Sequence, residues 1–190
     1  YLITDEMYED FVYDGKKHIS IGSFPQVADQ TISVFGFSKS HAMTGWRIGY
    51  VVAKQNLIDE IFKIHDSIIT CPTAAAQYAA LAAVEGTKEH VKFYKEEFLK
   101  RRKIVLDELA KTDKIEVITP SGAYYAFPKI LADIDDNKLV MDLIENARVA
   151  VIPGSAFGKG GENHIRISFG QEEKILREGL KRFVNYLNKI

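Results

Sequence analysis

The sequence predicts an α/β protein in which part of a larger sheet domain is followed by a compact α+β domain. Short, continuous apolar runs at residues 1–3, 31–35 and 48–52 indicate the first part, because such runs are typical of strands buried on both faces. Beyond residue 110, strand-like and helical segments alternate, which indicates a second sheet with its own core.

Helices follow the strands in the first part of the chain. Residues 55–69 place apolar side chains at helical spacing with charges between them. Residues 74–84 are rich in alanine, a strong helix former, and Gly86 ends that helix. A long amphipathic helix over residues 88–111 then leads into the second part.

We place the domain boundary inside this long helix, near residue 90. The first domain is therefore predicted over residues 1–89 and the second, small α+β domain over residues 90–190. The second domain is predicted to contain strands near 115–118, 124–127, 149–152 and 164–169 and helices near 138–146 and 172–188.

Composition and charge exclude several classes of protein. The 25 lysines and arginines nearly balance 26 aspartates and glutamates, so the net charge of −1 offers no basic excess for binding nucleic acid. No apolar run reaches the roughly 18 residues that span a bilayer, so we predict no membrane partner. A single cysteine, Cys71, excludes an internal disulfide and favours the cytoplasm. The five histidines lack the spacing of a metal site.

The amino terminus indicates that an upstream part is missing. The chain begins without methionine on the apolar run Tyr1–Ile3, which is typical of a buried strand, whereas domains usually begin in exposed polar segments. We therefore expect a fragment; the alternative is a complete domain with an unusual start.

Lys39 differs from the other lysines, most of which lie in charged helical segments. It follows the apolar run 31–37 and precedes a loop of small residues that leads into the run at 48–52. A lysine between two core strands is expected to be partly removed from water, which favours the neutral amine that attacks an aldehyde. Taken alone, Lys39 is more simply interpreted as a loop lysine that reaches solvent.

The surrounding sequence changes this interpretation. Residues 37–50, FSKSHAMTGWRIGY, closely resemble over fourteen consecutive positions the pyridoxal-phosphate lysine signature of class I and II aminotransferases, which have the fold-type-I architecture. Further segments resemble other motifs of the family in the expected order, namely DEMY at 5–8, PSGAYY at 120–125, PGSAFG at 153–158 and IRIS at 165–168. The resemblance implies a carboxyl-terminal half: the last strands of the mixed sheet of the large domain, followed by the small domain.

The resemblance also implies roles for the residues around the cofactor ring. Lys39 would form a Schiff base with the aldehyde of pyridoxal 5'-phosphate and later move a proton on the substrate. Asp5 would pair with the pyridine nitrogen, although an aspartate after a strand is by itself more often a turn residue or a helix cap. Tyr8 would donate a hydrogen bond to the ring oxygen, and its alternative is simple packing.

Two arginines and a serine receive roles by the same resemblance. Arg47 would bind the cofactor phosphate through its planar fork, with an ion pair to a nearby carboxylate as the alternative. Ser38 would add a hydroxyl to that phosphate, while some members of the family place a serine where this chain has Gly36. Arg166 would bind the α-carboxylate of the substrate, and a salt bridge at the rim is its alternative.

The implied activity is transamination between an amino acid and a 2-oxoacid. The motifs that complete the cofactor pocket in this family lie upstream of the aspartate motif, and they have no counterpart in these residues. The resemblance also implies a homodimer at full length. Because part of the cofactor pocket has no counterpart, we expect the 190 residues alone to be inactive and to bind the cofactor weakly.

Two other readings stay open. Another fold-type-I enzyme, such as a C–S lyase or an acyl-CoA-dependent synthase, would use the same lysine, aspartate and arginine. A non-catalytic regulatory or binding domain derived from an aminotransferase would keep the fold without the reaction.

Overall fold

The computed structural model describes all residues from 1 to 190. The chain divides into two compact units, Tyr1–Lys95 and Glu96–Ile190. The division falls within a long helix, Glu89–Leu109, close to the bounds predicted for it. None of the helices combines the length and the apolar composition needed to cross a membrane.

The first unit contains a three-stranded sheet. Its strands are β1 (Leu2–Asp5), β2 (Thr31–Gly36) and β3 (Gly49–Val52), in the order β1-β2-β3. β1 runs parallel to β2, and β3 runs antiparallel to it. Two helices follow, α1 (Gln55–Ile68) and α2 (Ala74–Glu85), close to the bounds predicted from apolar spacing for the first and from alanine content for the second.

The prediction that these strands are buried on both faces is wrong for the two outer ones. Leu2 and Ile3 of β1 are exposed, as is Tyr1 before them, and all four residues of β3 are exposed. Only β2 has a neighbour on each side, whereas β1 and β3 are the edges of the sheet. The apolar sequence of the edge strands therefore reflects surface that this chain does not itself cover.

A small apolar cluster joins the loop after β2 to helix α2. Phe37 and Met43 are buried against Ala80, with Ile48 packed beside them. Helix α2 begins at a capped position, since the Thr73 hydroxyl accepts a hydrogen bond from the Ala76 N–H at 3.3 Å.

The second unit has a larger core of its own. Helix α3 (Glu89–Leu109) leads into it, and its remaining elements are β4 (Ile115–Glu116), β5 (Tyr125–Ala126), β6 (Lys129–Ile130), α4 (Asp136–Asp142), a π-helical turn at Leu143–Ala147, β7 (Ile152–Pro153), a 3₁₀ turn at Gly154–Phe157, β8 (Ile165–Ser168) and α5 (Glu173–Leu187). β4 pairs with β6, and a separate antiparallel sheet has the order β5-β8-β7. Apolar side chains from α3, α4, β8 and α5 pack together into one cluster.

Sequence patterns placed the helices of this unit better than its strands. The strand predicted over residues 149–152 is present only at Ile152–Pro153. Val149 and Val151 instead pack against the core, and the Val149 N–H bonds to the Leu143 carbonyl at the end of the preceding helix. Apolar alternation there reflects packing rather than strand pairing.

Candidate functional site

The candidate residues of the first unit lie at one edge of its sheet, the edge formed by the carboxyl ends of β1 and β2 and the start of β3. Asp5 is the last residue of β1, and Lys39 follows the end of β2 after a two-residue link. Arg47 lies just before β3, whose first residue, Gly49, pairs with Gly36 at the end of β2. Because β1 and β2 are parallel and β3 is antiparallel, the ends of the first two strands and the start of the third meet at the same edge.

The backbone around Lys39 is anchored while its side chain is left available. The Phe37 carbonyl accepts hydrogen bonds from the N–H groups of His41 at 3.2 Å and Met43 at 3.3 Å. Phe37 and Met43 are buried, so they fix the loop on both sides of the lysine. Lys39 itself is half-buried, as expected from its position between the strands, and its amine forms no ion pair or hydrogen bond within the chain.

Asp5 ends β1, and Tyr8 lies three residues farther along the chain. The amine of Lys39 is 6.0 Å from the centre of the Tyr8 ring, which brings a half-buried amine and a phenol to the same place. Asp5 is exposed, and its Oδ1 accepts a hydrogen bond from the Met7 N–H at 3.3 Å. That bond is the turn contact expected of an aspartate after a strand. It leaves Oδ2, the other carboxylate oxygen of Asp5, for a ligand.

Arg47 presents an exposed guanidinium. Its backbone is left-handed, with a φ of 52°, where non-glycine residues are uncommon. One guanidinium nitrogen donates to the Thr44 carbonyl at 2.8 Å, and no carboxylate in the chain pairs with it. The ion pair considered as an alternative from the sequence is therefore not formed, and other N–H groups of the fork are available to an anion.

Ser38 and Gly36 complete the loop. Ser38 is buried next to the lysine, and its hydroxyl forms no hydrogen bond within the chain. A methyl group at Gly36 would come within 2.8 Å of the sulfur and terminal carbon of Met7. A serine at this position, as in some members of the family, would require Met7 to move.

Sequence reasoning missed a buried carboxylate beside Asp5. Glu6 is 5% exposed and accepts hydrogen bonds from the hydroxyls of Thr4 at 2.7 Å and Ser20 at 2.8 Å, while its other oxygen lies 2.6 Å from Nε2 of His18. Burial by itself would raise the pKa of Glu6, but these hydrogen bonds outweigh it and lower the pKa to about 2. The alternation of side chains along a strand could have indicated that Glu6 is buried, because it places the Glu6 side chain on the opposite face from that of Asp5.

A histidine pair close to Lys39 was also missed. The rings of His41 and His90 are 4.8 Å apart, and Nδ1 of His41 lies 2.8 Å from the Ser40 hydroxyl. Burial and the neighbouring His90 lower the pKa of His41. The His41 ring therefore packs in the loop that carries the lysine.

Arg166 belongs to the second unit, where it lies on the central strand β8. Its neighbours Ile165 and Ile167 point into the core, so alternation directs Arg166 to the opposite face of the sheet. The guanidinium carbon lies over the rings of Tyr125 and Phe157, 4.6 and 4.8 Å from their centres. No ion pair or hydrogen bond to Arg166 is formed within the chain, so the salt bridge considered as an alternative is absent.

The structure thus brings Asp5, Tyr8, Ser38, Lys39 and Arg47 to one sheet edge of the first unit and presents Arg166 on the second. Lys39, Asp5, Arg47 and Arg166 are ionisable side chains that have no ion partner in the chain. Unpaired charges at defined positions are typical of sites that bind a charged ligand.

Comparisons with known proteins identify the family that this chain resembles. The sequence profile of the family described as aminotransferase class I and II matches residues 1–183. The chain is 40% identical over 190 residues to a (5-formylfuran-3-yl)methyl phosphate transaminase of Methanocaldococcus jannaschii, covering 100% of this chain and 50% of that protein. It is also 40% identical over 191 residues to an aspartate aminotransferase of Pyrococcus abyssi, covering 99% of this chain and 49% of that protein.

Solved structures extend the likeness to the fold. The crystal structure of an aromatic aminotransferase from Pyrococcus horikoshii superposes with a TM-score of 0.94 at 39% identity, over 98% of this chain and 51% of that one. The chain therefore has the α/β fold of these enzymes and spans about half the length of the relatives it matches. With the profile matching nearly its whole length, the chain belongs to the class I and II aminotransferase family.

Proposed function

We propose that this chain supplies the lysine side of a pyridoxal-phosphate-dependent active site that transfers an amino group between an amino acid and a 2-oxoacid. The observation that carries the proposal is a half-buried Lys39 at the same sheet edge as Asp5 and Arg47, with no ion partner for any of the three in the chain. Membership in the aminotransferase family supports the same reaction.

The side chains at this edge fit the chemical groups of pyridoxal 5'-phosphate. Arg47 offers a charged fork and Ser38 an unused hydroxyl, both suited to a phosphate. The exposed carboxylate of Asp5 suits a protonated ring nitrogen. Tyr8 offers a phenol within reach of the lysine for the ring oxygen. When bound, this cofactor supplies an aldehyde and an electron-withdrawing ring.

Lys39 has two tasks in this proposal. Its amine would hold the cofactor through the aldehyde, and once freed by a substrate amine it would take the proton from the substrate's α-carbon and later return one. The anchored loop at Phe37 and Met43 supports both tasks, because it holds the backbone still while the long side chain moves.

The other candidate residues hold the cofactor and orient the substrate. Asp5 would pair with a protonated ring nitrogen, and Arg47 and Ser38 would hold the phosphate when the cofactor is bound. Arg166 binds the substrate's α-carboxylate through two parallel N–H groups, which orients the bond to the α-hydrogen. Its lack of any carboxylate partner in the chain supports this role.

We also propose how the whole protein is organised. Residues 1–89 would belong to the large cofactor-binding domain and residues 90–190 to the small α+β domain of a cytoplasmic homodimer that acts in amino acid metabolism. Since the chain spans about half the length of its relatives, turnover is expected from a protein of their length. The 190 residues alone are expected to be inactive.

An isotope-transfer experiment tests the proposed reaction. The natural gene product that contains these residues is incubated with a 15N-labelled amino acid and an unlabelled 2-oxoacid, and the products are analysed by mass spectrometry. We expect the label on the amino acid formed from the acceptor, and we expect K39A to abolish the transfer. Release of the label as ammonia with pyruvate would indicate a lyase, and a folded protein without either product would indicate a binding domain.

A further inference from the structure

We propose that Tyr125 and Phe157 are positioning residues that hold the guanidinium of Arg166 ready for a carboxylate. The inference rests on the proposed function, in which Arg166 binds the substrate's α-carboxylate. It adds the two aromatic rings that prepare the arginine.

The two rings come from the two sides of the strand that carries Arg166. β8 lies between β5 and β7 in the sheet. Tyr125 is the first residue of β5, and Phe157 ends the 3₁₀ turn that directly follows β7. The guanidinium carbon of Arg166 lies 4.6 Å from the centre of the first ring and 4.8 Å from that of the second, both within the range of a cation–π contact.

Phe157 is placed for this contact rather than for the core. It is 51% exposed, whereas the phenylalanines that stabilise this unit, Phe169 and Phe183, are almost fully buried. Its other ring contact is an edge-on approach to Phe127 at 5.9 Å, and Phe127 in turn stacks on His164 at 5.0 Å. An exposed phenylalanine costs solvation free energy, which its contact with the arginine offsets.

A buried carboxylate fixes the turn that carries Phe157. Asp136 is 2% exposed, and its Oδ2 accepts a hydrogen bond from the Ser155 N–H at 2.7 Å. The Asn137 side chain donates to the Ser155 hydroxyl at 3.1 Å. Two bonds from α4 therefore hold this short turn, and with it the phenylalanine ring, in one position.

The geometry explains why aromatic neighbours suit a carboxylate-binding arginine. All five N–H donors of a guanidinium lie in its plane, so a ring over its face leaves the donors free for a ligand. A free arginine side chain samples many rotamers, and fixing one on binding costs affinity. The two rings hold the side chain before the carboxylate arrives, without using any of its hydrogen bonds.

Nuclear magnetic resonance of the arginine side chains tests the inference on the 190-residue chain. The Nε–Hε signal of Arg166 is assigned by its loss in R166K, and its ring-current shift reports the aromatic contacts directly. Propionate, a simple carboxylate, is then titrated while this signal is followed. The variants are F157L, Y125L and Y125F, with F93L as the matched control, because Phe93 is also exposed and contacts Tyr94 rather than an arginine.

We expect the ring-current shift to fall in F157L and Y125L and the dissociation constant for propionate to rise about three- to tenfold in each, with Y125F and F93L unchanged. F157L carries the test if Y125L fails to fold, since Phe157 is half exposed. A wild-type response to propionate that persists undiminished in both leucine variants would overturn the inference and leave the proposed function standing. An Arg166 signal that shows the ring-current shift but never responds to propionate would contradict the proposed function itself.

Discussion

Nε2 of His18 lies 2.6 Å from Oε2 of Glu6, a carboxylate that is almost completely buried next to the exposed Asp5. The Glu6 N–H also donates to the Val34 carbonyl at 2.9 Å, so both its backbone and its side chain tie the end of β1 to the rest of the unit. Glu6 therefore lies directly after Asp5 and two residues before Tyr8, both of which are assigned to the cofactor. We expect the stability of this segment to depend on the charge of Glu6.

Stability of the chain should fall in acid through Glu6. The pKa of Glu6 is lowered from 4.5 to about 2 in the folded chain, so its stabilisation is complete above pH 4.5 and is lost as the pH falls towards 2. The E6Q substitution should lower the free energy of unfolding at pH 7 by on the order of 3 kcal/mol, and this difference should shrink in acid. Urea unfolding at several pH values measures it.

The matched control for E6Q is E60Q, which removes an exposed carboxylate from α1. This control should change stability by less than about 1 kcal/mol at any pH, because exposed ion pairs contribute little. A cost of E6Q that stayed constant from pH 7 to pH 2 would show that Glu6 acts through its shape and not through its charge.

Gly154 should not tolerate a side chain. A methyl group there would collide with the Gly161 carbonyl and with His164, whose carbonyl also bonds to the Gly154 N–H at 2.7 Å. We expect G154A to lower the free energy of unfolding by about 1–3 kcal/mol. G179A is the control, since Gly179 lies in α5 with open space around it, and alanine there should raise stability by about 0.5–1 kcal/mol. Equal melting temperatures for the two variants would disprove the close approach.

The edges of the first sheet should make the 190-residue chain self-associate. Val52 at the end of β3 is 55% exposed on an edge strand, and such strands pair readily with other chains. We expect the sedimentation coefficient to rise with protein concentration, and we expect V52K to reduce this rise. I118K is the control, because Ile118 is 84% exposed but lies outside any strand. A monomer at every concentration would contradict this expectation.

Arg47 should recognise the phosphate of the cofactor and nothing else of it. We expect R47A to weaken the binding of pyridoxal phosphate to the chain about tenfold or more and to leave the binding of pyridoxal, which lacks the phosphate, unchanged. The affinity of R47K for pyridoxal phosphate should lie between those of the unmodified chain and R47A, since lysine keeps the charge but lacks the planar fork of arginine. R148A is the control, because Arg148 shares the left-handed backbone but lies in the second unit. Equal losses for both ligands in equilibrium dialysis would refute the phosphate assignment.

The position of the candidate residues along the chain was predictable, but their surroundings were not. The sequence predicted that Asp5 and Lys39 follow apolar strands and that Arg47 leads into one, whereas the strand directions that bring the three together are known only from the structure. The bonds to Glu6 come from His18 and Ser20 in the irregular segment between β1 and β2, whose path no periodicity describes. The burial of β1 and β3 was overestimated, because it depends on whether other chain segments cover these outer strands.

The same limit applies to the second unit. Arg166 was identified from its motif, and the alternation of its strand predicts which face it occupies. Its contacts with Tyr125 and Phe157 depend on the pairing of three short strands, two of which contain only two residues. Strands that short carry too little periodicity to predict their register.

The most direct test is to identify which lysine carries the cofactor. The 190-residue chain is mixed with pyridoxal phosphate, reduced with borohydride, digested and analysed by mass spectrometry for phosphopyridoxyl-lysine. We predict that the label is concentrated on Lys39 and that K39A leaves only weak, scattered labelling. Labelling of Lys39 no stronger than that of the surface lysines of α3, with K39A labelled to the same extent as the unmodified sequence, would contradict its assignment as the reactive amine.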